Sequence, residues 1–301
     1  MSAVDWATQP AAWLGWLGLA PFAEFGFMQR ALLGCLALSL SAAPIGVFLM
    51  LRRMSLTGDA MAHGILPGAA VGYLVSGLSV GAMTLGGLVA GLIVAIGSGL
   101  VARSTVMRED TSLAAFYLIS LAVGVLIVSS RGSNVDLLHV LFGTVLALNN
   151  EALWLMLGVA CITLLGLAVL YRPLVLECLD PVFLRSVSRW SPVAHYGFLV
   201  LLVLNLVAGF HALGTLLAVG FLVLPAAAAR FWVREITALL VLSCLLAFGA
   251  SLAGLLLSYH ADLPTGPAIV LSLGALYLCS MLIGRQGLLR QRPSLQPHLR
   301  A

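Results

Sequence analysis

Residues 52–68 read Arg52-Arg53-Met54-Ser55-Leu56-Thr57-Gly58-Asp59-Ala60-Met61-Ala62-His63-Gly64-Ile65-Leu66-Pro67-Gly68: a double arginine, a polar turn, then a run of apolar and small residues. Apolar stretches near 30–51 and 60–78 lie on either side of that turn. Each is about 20 residues long, enough for an α-helix to cross a bilayer, whereas a barrel strand needs only about ten. The turn therefore joins two membrane-spanning helices.

Working outward, the same pattern repeats along the chain. Of its 301 residues 61% are hydrophobic and 9% charged, and the mean hydropathy is +1.10. A soluble domain carries roughly a quarter charged residues. A bilayer admits only helices and closed barrels, because every backbone polar group must be satisfied internally. Spans are read near 30–51, 60–78, 80–101, 112–130, 151–171, 193–212, 213–231, 235–258 and 264–284. The expected fold is an all-α polytopic integral membrane protein of eight to nine transmembrane helices. Residues 134–147 could instead form a short re-entrant helix, and almost no loop separates 193–212 from 213–231.

All fifteen basic residues are arginines, unevenly placed. With the first span ending inside, Arg52, Arg53, Arg103, Arg108, Arg172, Arg185, Arg189, Arg230, Arg234, Arg285, Arg290, Arg292 and Arg300 fall on the cytoplasmic side. Arg30 and Arg131 fall outside. The positive-inside rule then puts the N-terminus outside and the C-terminus inside. The net charge of +4 follows from this placement and does not argue for nucleic acid.

Residues 1–29 carry Trp6, Trp13 and Trp16 without a basic n-region, which suits an interfacial segment better than a signal peptide. Residues 30–284 form the transmembrane domain, and 285–301 read as a disordered cytoplasmic tail. The five cysteines are scattered and read as small buried hydrophobes.

Asp59 and His63 stand one helical turn apart, so both side chains share a face and can share a metal ion. An ionisable pair near lipid depth is costly, which makes it a functional candidate. The competing reading is a helix-start Asp with a His that merely faces the cytoplasm. A second segment stands out where Asp180-Pro181 signals a helix start. Val182, Phe183, Ser186, Val187 and Trp190 then recur at helical spacing opposite Arg185 and Arg189. Such a short amphipathic helix could rest on membrane lipid or dock in a partner's groove.

Pro67 and Pro225 interrupt their spans, freeing backbone carbonyls as hinges and pathways do. Asp136 and His139 in an outer connection fit an outer-mouth ligand pair or a capping role. His260 with Asp262 could attract cations, and Asp262 more simply caps the final helix. His211 sits at an outer span end, and His195 and His298 read as solvated at the cytoplasmic face. Gly68/Gly72 and Gly87/Gly91 permit close helix packing, within or between subunits. A phosphate loop and an HExxH are missing, which argues against an ATPase and a metalloprotease.

Several runs together resemble the metal-ion ABC-transporter permeases of the zinc, manganese and ferrous-iron type. They are Phe27-Met28-Gln29-Arg30-Ala31-Leu32, Leu51 through Asp59 to His63, Leu66-Pro67-Gly68 and Arg108-Glu109-Asp110-Thr111. Further along come Val135-Asp136-Leu137-Leu138-His139, Leu141-Phe142-Gly143, Leu224-Pro225-Ala226-Ala227-Ala228-Ala229-Arg230 and Asp262-Leu263-Pro264-Thr265-Gly266-Pro267. The runs keep the family order over residues 27–284.

This resemblance implies a non-enzymatic permease of the bacterial cytoplasmic membrane, working as two copies. Its expected partners are two cytoplasmic ATP-binding subunits and an extracytoplasmic metal-binding protein. Asp59 and His63 match the family's positions along the ion path. Residues 180–190 match its coupling helix, with Asp180, Pro181, Phe183 and Val187 at the ATPase contact. Here Arg189-Trp190-Ser191-Pro192 replaces the small Gly-Ile turn common after it. No permanent cofactor is implied, and the metal is cargo. An imidazole–carboxylate pair suggests zinc first, then manganese or ferrous iron. The alternative class is a stand-alone secondary transporter or channel.

Overall fold

The computed structural model describes residue 22 and residues 25–77, 79–130, 148–180, 183, 184, 186 and 190–289. Asp136, His139, the candidate re-entrant stretch, Pro181, Val187 and the N-terminal tryptophans lie outside the described residues.

The described residues form nine helices: α1 (Gly26–Leu51), α2 (Thr57–Ser76), α3 (Val80–Ser104), α4 (Glu109–Ser130), α5 (Asn150–Leu179), α6 (Trp190–Leu213), α7 (Thr215–Arg230), α8 (Ile236–Ala261) and α9 (Thr265–Ile283). Seven are long and apolar enough to cross a membrane, α2 and α7 being the others. At about 1.5 Å per residue α7 spans only about 24 Å, short of a bilayer core of about 30 Å.

α1 and α6 are the most enclosed helices. The ring of Phe48 on α1 meets Phe198 on α6 edge-on at 6.3 Å and Tyr171 on α5 at 6.4 Å. α2, α3 and α4 pack on one another, α7, α8 and α9 do likewise, and α1 touches α5, α6, α7 and α8. Leu85, Val89, Ile93, Ile96 and Leu100 form an exposed stripe along α3, the face a bilayer covers.

Helix α5 differs from its expected span. It runs on past residue 171, through Pro173, to Leu179. Its buried positions Thr163, Leu167, Leu170, Leu174 and Glu177 keep one unbroken stripe, so packing against α1 and α6 carries the helix beyond the proline. Residues 173–179 are therefore helix rather than loop.

The turn between α1 and α2 is built on backbone hydrogen bonds. Arg53 N–H donates to Met50 O at 3.1 Å and Met54 N–H to Leu49 O at 2.9 Å, a Schellman closure with Arg53 in the left-handed region at φ 60°. Glycine is the usual residue there, since a side chain costs about 1 kcal/mol in that conformation. Arg53→Gly is expected to hold or raise the melting temperature in detergent, and Arg53→Val to lower it. A lower melting temperature for the glycine variant would contradict this account.

The α6–α7 connection is a single residue, Gly214 at φ 89°. The expectation that Asp262 caps the final helix is corrected. Asp262 is the left-handed C-cap of α8 at φ 50°, and Pro264 precedes α9. The reason is local: the chain must reverse within three residues, and aspartate tolerates that conformation better than most side chains. The cysteines also differ from expectation. Cys35 is buried, but Cys161 and Cys279 face outward, where lipid is as apolar as a core.

Residues 285–289 fold back instead of leaving the bundle: Gln286 N–H donates to Phe231 O at 2.9 Å and Leu288 N–H to Met281 O at 2.9 Å. Gly68 and Gly72 pack α2 onto Gly86 and Ala82 of α3, while Gly87 and Gly91 receive Ile65 of α2. These small-residue contacts lie within the subunit.

Candidate metal site

Asp59 lies in the first turn of α2, where a carboxylate is favoured by the helix dipole. One turn on, His63 Nε2 stands 3.8 Å from Asp59 Oδ1, so the two side chains share a face as their spacing predicts. The Asp59 side chain is 63% exposed and that of His63 38%. Leu66 and Ala70 continue this partly open stripe up the helix. Among the described residues no three His, Cys, Asp or Glu side chains gather as a metal cage. Two ligands, one oxygen and one nitrogen, are what one copy presents.

The two neighbouring arginines would repel a cation from this pair. Arg52, however, points the other way. Its Nη2 lies 2.8 Å from Glu177 Oε1 with both side chains buried, and its guanidinium stacks 4.9 Å from the Phe198 ring centroid. Its charge is thus balanced by Glu177 on the far side of the turn.

Pro67 lacks the N–H that would bond to the His63 carbonyl, so that oxygen is released from the helix ladder beside the candidate ligand. Ser120 Oγ of α4 donates to the next carbonyl, Gly64 O, at 2.9 Å. The Pro67 ring fits against Gly124 of α4, where a methyl group would come within 2.7 Å of Pro67 Cγ. Pro225 is buried in α7 and releases the Phe221 carbonyl in the same way. One residue further on, the Leu222 carbonyl abuts Gly46 of α1. Helices α2 and α7 touch, which brings the two interrupted helices side by side.

The 180–190 segment begins as its sequence suggests. Asp180 Oδ1 accepts the N–H of Phe183 at 2.9 Å, and Ser186 Oγ donates to Phe183 O at 2.9 Å. Phe183 is exposed and Leu184 buried, so the segment has an inward and an outward side. His260 Nδ1 lies 2.9 Å from Leu256 O of its own helix, the geometry of a local contact.

Sequence reasoning missed one cluster. His195, expected to be solvated, is 3% exposed. Its Nδ1 stands 3.5 Å from Glu177 Oε1 and 3.4 Å from Arg52 Nη2, and its Nε2 3.3 Å from Glu109 Oε1. Arg103 Nη2 reaches Glu177 Oε1 at 3.5 Å, and Ser191 O and Oγ at 3.3 Å each. Packing of α1, α3, α4, α5 and α6 converges these ends and removes His195 from water. The available signal was Glu177, placed on the buried period of α5.

Convergence of residues 52, 103, 109, 177 and 195 puts these helix ends at one end of the bundle, as alternating spans require. A helical bundle of this kind, with seven helices long and apolar enough to cross a bilayer, is a multi-pass membrane protein. The chain belongs to the ABC 3 transport family, whose sequence profile matches residues 24–284, in agreement with the resemblance to metal-ion permeases.

The chain is similar to the manganese import system permease protein ScaB of Streptococcus parasanguinis, 34% identical over 260 residues, covering 86% of this chain and 91% of the relative. It is 30% identical over 258 residues to a probable iron transport system membrane protein of Haemophilus influenzae, covering 86% and 94%. Among solved structures it matches PsaBC from Streptococcus pneumoniae in complex with Fab, with TM-score 0.77 and 29% identity over 90% of this chain and 96% of that one. Like those relatives the chain is a membrane transport subunit of a bacterial cytoplasmic membrane.

Proposed function

We propose that this chain forms the membrane pathway of an ATP-driven importer for divalent first-row metal ions, manganese foremost. The observation that carries the reading is the Asp59–His63 pair, 3.8 Å apart and open to the outside of a single copy. Two copies facing one another across that stripe would supply two carboxylates and two imidazoles. Mixed oxygen and nitrogen donors suit manganese and ferrous iron as well as zinc. Relatives named for manganese and iron move the first choice from zinc, the expectation from ligand chemistry alone, to manganese.

In this reading the arginine-rich end faces the cytoplasm. There the 180–190 segment, with Phe183 outward, meets a separate ATP-binding subunit, one for each of the two copies. An extracytoplasmic binding protein delivers the ion at the opposite end. Pro67 and Pro225 mark where the paired helices α2 and α7 flex as the ion passes.

Growth of a deletion strain in chelated medium, with each metal restored separately, tests the cargo. The wild-type gene is expected to restore growth when manganese is supplied at limiting concentration. Complementation that depends on zinc or iron alone would overturn the choice of manganese.

A further inference from the structure

The buried cluster around Glu177 takes no part in the pathway described above, yet it joins both flanks of the 180–190 segment to the end of α1 that leads into α2. Glu177 precedes Asp180, the start of the 180–190 segment, by one helical turn. Ser191 and His195 follow that segment directly. Both of its flanks are therefore tied into one charged cluster, through Glu177 on one side and through Arg103–Ser191 and His195 on the other. Arg52 is the C-cap of α1, and the five-residue turn it opens leads into the α2 turn carrying Asp59. From coupling segment to metal pair the path runs through Glu177 and Arg52.

We propose that Glu177 is the positioning residue through which movement of the 180–190 segment reaches the start of α2. Two arginines compete for a single oxygen, Glu177 Oε1: Arg52 at 2.8 Å and Arg103 at 3.5 Å. Glu177 Oε2 and Arg52 Nη1 have no hydrogen-bond partner among the described residues, although both are buried. Arg103 Nε is likewise left without one, and His195 Nε2 and Glu109 Oε1, 3.3 Å apart, are not aligned as a hydrogen bond. Buried groups left half-satisfied favour a second arrangement that uses the spare donors and acceptors. Exchange of Glu177 between Arg52 and Arg103 supplies that arrangement, since both guanidiniums already reach the same carboxylate oxygen. The two guanidiniums argue against the cluster being a cation site.

This inference rests on the coupling reading, and the experiment separates the two. The complete transporter, with its ATPase and binding protein, is reconstituted in proteoliposomes, and manganese ions transported per ATP hydrolysed are measured. Glu177→Gln keeps the shape and removes the charge. It is expected to assemble and hydrolyse ATP while the transport-to-ATP ratio falls about tenfold, and Glu177→Asp to recover part of the loss. An unchanged ratio in Glu177→Gln, whether both rates are normal or both fall together, overturns the proposal. If that variant does not assemble, Arg103→Lys is read by the same ratio, and a wild-type ratio there overturns it equally. Phe183→Asp is measured alongside. A wild-type ratio in Phe183→Asp sinks the coupling reading itself, whereas an uncoupled Phe183→Asp beside a coupled Glu177→Gln sinks this inference alone.

Discussion

Asp59→Ala and His63→Ala are each expected to reduce metal uptake to roughly one hundredth of wild type or less, while expression and copurification with the ATPase stay normal. An ion that has shed its water in the pathway has only these ligands to replace it, so losing one is expected to cost about 3 kcal/mol, and each 1.4 kcal/mol or so is a factor of about ten. The carboxylate series sharpens the test. Asp59→Glu keeps the charge on a longer arm and is expected to retain part of the uptake. Asp59→Asn keeps the shape, loses the charge that offsets desolvation of a divalent ion, and is expected to be nearly inactive. Uptake in radiolabelled manganese decides it. If the Asp59→Ala/His63→Ala double variant still transports, the pair is no more than a polar helix start.

Gly68→Val is expected to abolish folding of the α2–α3 hairpin. A methyl group at Gly68 would collide with the Gly86 carbonyl and come within 2.6 Å of the Ala90 Cβ. The obstruction is backbone, so no rotamer change relieves it, and the helices must separate. The cost lies at or above the roughly 3 kcal/mol upper end of overpacking penalties. Gly158→Ala is the matched control, because a methyl group there meets nothing within 4 Å. It is expected to leave stability unchanged or raise it by up to about 1 kcal/mol through helix propensity. Size-exclusion profiles of solubilised protein report both. A monodisperse Gly68→Val protein with the wild-type melting temperature would show that α2 and α3 do not cross there.

Much of this architecture is legible in the chain itself. Lipid imposes one backbone solution, so hydropathy alone placed each of the nine helices, even α7, which is too short to span by length. Where the reading falls short at the fifth span and at His195, packing is the reason. The fifth span is read as ending at residue 171, yet the buried stripe of Leu170, Leu174 and Glu177 continues through Pro173. Proline signals a break in the backbone ladder, but tertiary contacts decide whether the helix resumes. His195 was assigned to solvent because it follows an exposed segment, and proximity along the chain says nothing about the four helices that close over it.

The sequence by itself determined the class of the protein, its spans and the likeness to metal permeases. It also placed Asp59 and His63 on one helix face, because i,i+4 spacing is a property of the helix alone. Only the tertiary structure decided where Arg52 directs its charge. Arg52 and His195 are 143 residues apart in the chain and 3.4 Å apart in space. No local periodicity records such a meeting. It arises when five separately formed helices pack their ends together, bringing two arginines, two glutamates and a histidine within reach of one another and withdrawing Arg52, Glu177 and His195 from water.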